Sequence, residues 1–366
     1  MSREIIAAVA RGAAEPFTIE RLTLATPRAG EVVVRLVASG ICQSDLTAKH
    51  NFPAELPIVL GHETAGVVEQ LGSEVTGIEV GDHVLVTYAS CGNCRRCDAG
   101  LPGYCDHWVR LNGGRYGANS PLTTTDGQPV VGGFFGQSSF ATHLVASARS
   151  VVVVDQDLDL TLIAAFGCGV QTGAGAVVNV LQPESDSAVA IFGVGGVGIS
   201  AVMAARALGV STVIAVDLSA DRLHVAGELG ATTLIDGAAD DVATQIRAAT
   251  GDGTTHALDT TGIDTVVATA IESLAPRGTL AVVGLGEPVI PIEVAKLIGL
   301  GKTVRGSIEG DADPHRFLPQ LIDWYRTGKL PMDRIIRRYP LEAINAAVAD
   351  CARGEVIKSV LTFAEL

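Results

Sequence analysis

No run of about 18 apolar residues occurs anywhere in this chain, so nothing in it reads as a membrane-spanning helix. Positive charge is scarce: 26 lysines and arginines face 40 aspartates and glutamates, a formal net charge of −14. Such a surface repels phosphate backbones, which argues against a nucleic-acid partner. The 42 glycines follow no collagen-like or low-complexity period and fall at turns, as in an α/β protein with many tight connections. Solenoid-type repeats are missing as well. The first residues lack the long apolar segment of a signal peptide, and Arg11 interrupts what there is. At 366 residues the chain is too long for one core and is expected to divide into two domains.

What the chain does have is cysteine in two groups. The tight group is Cys91-Gly-Asn-Cys94-Arg-Arg-Cys97 with Cys105 close behind. Four thiols so near one another suit a closed tetrahedral zinc site, in which every position is filled by protein. The bland alternative is a pair of disulfides or a redox dithiol. An odd count of seven cysteines with Cys-x-x-Cys clustering speaks against it and for a reducing cytosol. The wider group is Cys42, His62 and Cys168, each beside or near glycine, with Glu63 next to His62. Two sulfurs and one imidazole leave a zinc with one position for water or substrate, where a hydroxyl is acidified. Cys351 has no such company and reads as structural.

Period-two and apolar segments at Ile5–Val9, Glu31–Val37, Thr64–Gln70 and His83–Thr87 make the first part β-rich. Residues 106–133 read as a long loop. After Cys168 the pattern changes to alternating strands and helices: Ala188–Phe192, Thr212–Asp217, Thr232–Asp236, Ala257–Asp259 and Gly278–Val283, with helical segments between. That alternation predicts a doubly wound parallel sheet. Helices around Phe317–Arg326 and Leu341–Cys351, then a strand Val356–Phe363, read as a return to the first domain. The expected division is 1–168, with the cysteine lobe at about 88–107, then 169–307, then 308–366 as the second part of the first domain.

Gly193-Val-Gly195-Gly196-Val197-Gly198 is a G-x-G-x-x-G between a strand and a helix. Gly193 permits the tight turn, Gly195 the approach of a pyrophosphate, and Gly198 close helix–sheet packing, with the phosphates at the helix N-terminus. Asp217 ends the next strand, where a carboxylate accepts from ribose hydroxyls and repels a 2′-phosphate. The expected dinucleotide is therefore NAD.

Taken together these residues resemble the zinc-containing medium-chain alcohol dehydrogenases over nearly the whole chain. Gly61-His-Glu-x-x-Gly66, continuing through Gly72 and Val75, looks like that family's zinc signature, and the four-cysteine lobe strengthens the likeness. The open Cys-His-Cys set is itself the known set of alcohol dehydrogenases, so it belongs to the resemblance. Phe134-Phe135-Gly-Gln-Ser-Ser-Phe-Ala and Gly167-Cys168-Gly-Val-Gln-Thr172-Gly look most like the aryl-alcohol (benzyl-alcohol) and geraniol dehydrogenase branch. The resemblance implies a GroES-like catalytic domain with an inserted Rossmann domain, two zinc ions per chain, NAD, a small alcohol or aldehyde substrate, and a homodimer or homotetramer.

It also implies roles. Ser44 would bond the alcohol oxygen and start a proton relay, continued by Thr47 where many relatives have histidine, by water, or by the more distant His50. Asp45 would support His62, and Glu63 would stand behind the zinc. Gln43 occupies a place near the phosphates where a cation is common, and Lys358 replaces an arginine expected at the pyrophosphate. Thr172 and Val197 would meet the nicotinamide end, Arg222 the adenosine ribose, and Val283 would also touch the cofactor. Phe134, Phe135, Leu285 and Ile308 would line the substrate pocket, with Thr87 or Tyr88 beside them. Strand alternation predicts that one of the two phenylalanines turns to the core. Two other readings compete. One is a thiol-dependent formaldehyde dehydrogenase, with Arg110 or Arg115 holding the thiol's carboxylate. The other is a non-catalytic zinc- and nucleotide-binding protein.

Overall fold

The computed structural model describes residues 2–286, 289–290 and 292–363; Met1 and residues 364–366, the outermost of the first-domain assignment, lie outside it. The chain forms two compact units, one of residues 1–168, 313–319 and 335–366, the other of 169–312 and 320–334. Among the described residues no single helix is long and apolar enough to cross a membrane.

In the first unit a seven-stranded sheet is built around Glu31–Gly40. That strand pairs antiparallel with Glu63–Leu71, with His143–Ser147 and with Lys358–Thr362 near the chain's end. Val32, Val34 and Leu36 alternate inward and are at most 1% exposed, so the period-two pattern buries one face. Each such side chain contributes about 1.5–3 kcal/mol by leaving water. Gly66 lets the neighbouring strand close up, since a Cβ there would lie 2.3 Å from the Arg35 carbonyl oxygen. A second sheet of five strands carries Arg3–Ala10 and Thr18–Leu24.

The stretch 106–133 is more ordered than its composition suggests. It holds a helix, Trp108–Asn112, and short strands at Gly113–Arg115, Leu122–Thr124 and Pro129–Val130. Strands this short carry no periodicity of their own. Leu122–Thr124 exists because it pairs with Leu22–Leu24, a partner about a hundred residues away.

In the second unit six parallel strands end at Phe192, Asp217, Asp236, Asp259, Val282 and Gly306. Numbered along the chain, they lie side by side in the order 3-2-1-4-5-6, the doubly wound arrangement. Helices connect them, among them Gly196–Ala207, and Ala220–Leu229, whose first turn is capped by the Ser219 hydroxyl. Residues 308–312 and 320–334, which the sequence assigns to the first domain, cluster here instead. Two contacts explain this. Gly310 packs so closely on Gly175 that a Cβ on Gly175 would lie 2.6 Å from the Gly310 oxygen. Arg334 is paired with Glu228 at 2.5 Å.

Candidate active site

Strand Glu31–Gly40 delivers Cys42 to the start of helix Gln43–Asn51, and the segment after Ile58–Val59 delivers His62. Asp45, fully buried, joins the two. Its Oδ2 accepts from the Cys42 N–H at 2.9 Å, and its Oδ1 from the Gly61 N–H at 2.9 Å. Oδ1 also lies 2.9 Å from His62 Nδ1. Gly61 sits at φ +92 with Phe140 against it, so the backbone turns there only without a side chain. With Nδ1 facing Asp45, Nε2 is the ring nitrogen left for a ligand. It is buried and has no hydrogen-bond partner. The donor atoms of Cys42, His62 and Cys168 all lie within 4.8 Å of one another. A buried, unpartnered imidazole nitrogen beside two thiols fits a thiophilic cation such as zinc.

Charge is concentrated around this set. Glu63 is fully buried, and its Oε2 is 2.5 Å from Lys358 Nζ, which also donates to the Ile41 carbonyl at 2.9 Å. Burial opposes the Lys358 ammonium, but the charges of Glu63 and then Cys42 outweigh it and raise its pKa. Burial pushes the Glu63 carboxyl up, against the pull of Lys358. Gly40 makes room for that carboxylate, since a Cβ would sit 1.9 Å from Oε2. Lys358 was expected at a pyrophosphate; its ammonium is committed to Glu63 and Ile41. Ser44 Oγ lies 3.7 Å from Cys42 Sγ, and Thr47 follows one turn along the same helix, half-buried. Gln43 is exposed.

Phe134 is buried in the core of the first unit, as expected of one of the pair, yet both phenylalanines reach His62. The Phe135 ring stacks on the imidazole at 4.3 Å, and Phe134 meets it edge-on at 5.6 Å. The strand ends at Phe134, and Phe135 takes a left-handed φ of 50, which turns its side chain the same way. Such a conformation costs about 1–2 kcal/mol for a non-glycine residue. The Phe135 N–H donates to the Asn112 carbonyl at 2.8 Å, and the Asn112 side chain exchanges two 2.9 Å bonds with Ala89. Asn112 thereby fixes the helix carrying Trp108, whose ring stands edge-on to Phe135 at 5.8 Å and tilts against Tyr88 at 5.2 Å. The sequence reading missed Trp108 and Asn112; one of only two tryptophans, three residues past Cys105, was the available signal.

The sulfurs of Cys91, Cys94, Cys97 and Cys105 likewise converge within 4.8 Å. All four are free thiols, so the disulfide alternative does not hold. Backbone N–H groups point at them: Cys91 and His107 donate to Cys105 Sγ at 3.3 and 3.4 Å, and Asp106 to Cys94 Sγ at 3.5 Å. The Asp106 N–H, then that of Cys97, brings the Cys94 thiol down to about 6, while burial pushes Cys97 up to about 12. Four sulfurs with donors directed at them suit a fully ligated zinc.

In the second unit the glycine-rich turn is shaped for phosphate. Gly193 has φ +80, a Cβ on Gly198 would lie 1.9 Å from the Gly193 oxygen, and one on Gly195 would enter open space. The twelve-residue helix Gly196–Ala207 starts there, so its N–H groups and dipole face that space. Asp217 Oδ2 accepts from the Val194 N–H at 2.7 Å and Oδ1 from Ser219 at 2.9 Å, which fixes its carboxylate beside the turn. Arg222 Nε is buried without a hydrogen-bond partner. Val197 and Val283 are half-buried; Leu285 is 68% exposed and Ile308 half-buried in this unit.

Two family models match the chain: the alcohol dehydrogenase GroES-like domain over residues 28–156, and the zinc-binding dehydrogenase model over 196–327. A geraniol dehydrogenase of Castellaniella defragrans is 43% identical over 98% of this chain and 97% of its own length. The crystal structure of an alcohol dehydrogenase zinc-binding domain protein from Burkholderia ambifaria superposes with a TM-score of 0.96 at 43% identity, covering all of both chains. That of benzyl alcohol dehydrogenase from Acinetobacter calcoaceticus gives 0.92 at 36% identity, over 99% of this chain and all of the other. The chain belongs to the zinc-binding, GroES-like alcohol dehydrogenases, an oxidoreductase family, and within it is most like the geraniol and benzyl-alcohol dehydrogenase branch.

Proposed function

We propose that this protein interconverts primary aromatic or allylic (terpenoid) alcohols and their aldehydes, with NAD as hydride carrier and zinc held by Cys42, His62 and Cys168. The observation that carries the reading is the aromatic wall on the donor set, with Phe135 stacked on His62 and Phe134 and Trp108 edge-on around it. Such a wall favours a flat or isoprenoid chain, each ring contact adding about 0.5–1.5 kcal/mol beyond burial. A bound zinc would supply Lewis-acid polarisation of the alcohol oxygen, and a bound nicotinamide would accept the hydride. Ser44 would take up the substrate proton and Thr47 pass it toward solvent. Asp45 would keep His62 in the ligating tautomer. The Glu63–Lys358 pair would offset charge around the thiolates. The four-cysteine lobe would hold a second, structural zinc.

The glycine-rich turn would bind the pyrophosphate, with Gly193, Gly195, Gly196, Val197 and Gly198 around it. Asp217 and Arg222 would hold the adenosine ribose, and Val283 and Thr172 would lie toward the nicotinamide. Leu285 and Ile308 are proposed to complete the pocket. A homo-oligomer is supported by the edge strand Thr303–Gly306 and the exposed Val294 and Ile298 nearby in sequence. Seven free thiols suit a reducing cytosol. The competing formaldehyde reading is weakened because Arg115 is paired with Glu31 at 3.2 Å, leaving exposed Arg110 as its candidate.

The test is zinc content per chain together with NAD reduction on benzyl alcohol, geraniol, cyclohexanol, ethanol, and formaldehyde with glutathione or mycothiol. Two zinc ions and preference for benzyl alcohol or geraniol are expected. Thiol-dependent formaldehyde turnover alone would replace the reading, and a zinc-loaded protein inert toward every alcohol would make it a binding protein.

A further inference from the structure

Where the two sheets of the first unit meet, one carboxylate holds three partners. Glu69, on strand Glu63–Leu71, has Oε1 3.0 Å from Arg35 Nε. Its Oε2 is paired with the Arg3 guanidinium and lies 3.3 Å from His143 Nε2. Arg35, Glu69 and His143 belong to the seven-stranded sheet, whereas Arg3 begins the N-terminal strand of the five-stranded one. Thr142 makes a second tie beside this cluster. Its N–H donates to the Ile6 carbonyl at 2.8 Å, and its own carbonyl accepts from the Leu36 N–H at 2.9 Å. Its hydroxyl oxygen accepts from the Ile6 N–H at 3.2 Å and lies 3.1 Å from Nδ1 of His143, a residue only 8% exposed.

These contacts fix the ring in one form. The Thr142 oxygen already accepts an amide hydrogen, so its own hydrogen goes to Nδ1. The ring hydrogen then sits on Nε2 and is donated to Glu69. Every polar group is matched while the ring is neutral. Protonation puts a hydrogen on Nδ1 as well, so two donors press on the Thr142 oxygen and its hydroxyl loses its acceptor. Charge opposes protonation too. Arg35 and His143 stand directly opposite each other on paired strands, where like charges repel. Among the described residues, the charged groups facing the ring are Arg3 from the N-terminal strand and Arg35 and Glu69 from the sheet, two cations against one carboxylate. Burial, then Arg3, holds the ring's pKa below the usual histidine value, against the pull of Glu69.

We propose that His143 is an acid-sensitive latch on the N-terminal strand, closing the junction of the two sheets when neutral and opening it when protonated. An opened ring takes up a proton at about pH 6.5, the closed ring only below that. The opened form therefore binds more protons in this window, and closure weakens as pH falls through it. Strand Arg3–Ala10 also pairs, at Val9 and Ala10, with Ile58–Val59, which lead into His62. The latch thereby bears on the support of the donor set as well as on the strand itself.

Hydrogen exchange of the whole zinc-loaded protein reads the latch directly, because each amide reports its own opening. The window from about pH 7.5 to about pH 5.5 lies above the titration of ordinary carboxylates. Across it, protection of the Arg3–Ala10 amides, corrected for intrinsic rates, is expected to fall about fivefold. That of Thr212–Asp217 in the second unit should change less than about twofold. His143→Gln keeps a donor for Glu69 and an acceptor for Thr142 but cannot titrate, so it should abolish the pH dependence over Arg3–Ala10. Arg3→Gln, at a side chain 35% exposed, removes one like charge. The ring-proton resonance of His143 should then titrate at higher pH than in the wild type, which keeps the question measurable if His143→Gln does not fold. Unchanged protection of Arg3–Ala10 in the wild type, the same loss in His143→Gln, an unmoved titration in Arg3→Gln, or equal loss across both units overturns the proposal.

Discussion

The two cysteine groups place soft donors together by opposite means. In the lobe the sulfurs are arranged by their own neighbours: backbone N–H groups of Cys91, Asp106 and His107 point at Cys105 and Cys94, all within seventeen residues. In the other set no two donors are closer than twenty residues in sequence, and side chains do the arranging, with Asp45 clasping Cys42, Gly61 and His62. A site filled by its own ligands can be a local motif near the surface. One that keeps a position open needs the fold around it to hold the ligands apart and to balance their charge. The comparison predicts that the lobe governs stability and the buried set governs turnover.

The largest effect expected is on turnover. Cys42→Ala should lower alcohol oxidation by about a thousandfold or more, since several kcal/mol of transition-state stabilisation leave with the metal. Zinc content should drop by one ion per chain, and circular dichroism should stay that of the wild type. Retained turnover would remove the buried set from the chemistry.

The opposite pattern is expected of Cys97→Ala. A structural zinc contributes folding free energy directly, so the melting temperature should fall by about 10 °C or more. Turnover per folded molecule should stay within about threefold of wild type, because the fully ligated lobe has no position for substrate. A large loss of kcat with an unchanged melting temperature would reverse the assignment of the two sites.

This contrast also explains what the sequence disclosed. Cys91 to Cys105 is local, so spacing alone displays it. The parallel sheet was legible for a similar reason: Ala188–Phe192 and Thr212–Asp217 are buried on both faces, read as apolar runs, and end where expected. Asp45 beside His62 was expected from the resemblance, but its bonds to the Cys42 and Gly61 N–H groups, the common direction of Phe134 and Phe135, and the joining of His143 to Glu69 were not legible. Each depends on a backbone conformation or a long-range hydrogen bond that leaves no periodicity. The Glu63–Lys358 pair joins residues 295 apart in sequence, and only the sheet pairing of Lys358–Thr362 with Glu31–Gly40 brings them together.

That pair gives the next test. Lys358→Met leaves the fully buried Glu63 carboxylate without its counter-charge, and breaking such a pair costs about 3–5 kcal/mol in denaturant unfolding. Adding Glu63→Gln should restore most of that loss, because the uncompensated charge is then gone. A double variant as unstable as the single one would mean that packing of the lysine stem, and not charge, holds the site.

The smallest effect is expected at the lobe's own ion pair. Arg96 and Asp106 bond across the four-cysteine turn, but their side chains are 55% and 41% exposed. Water screens the attraction, and ordering two flexible side chains offsets much of the rest, so Arg96→Ala should cost at most about 1 kcal/mol. Raising salt to 1 M should shrink even that difference, because the Debye length falls to about 3 Å. The same salt should leave the effect of Lys358→Met nearly unchanged, since no ions reach a buried pair. If Arg96→Ala instead destabilised the chain as much as Cys97→Ala, charge pairing would be shaping the lobe and the sulfurs would be secondary. If salt changed both variants alike, the line drawn between a surface motif and an enclosed site would fail on electrostatic grounds, whatever the turnover measurements showed.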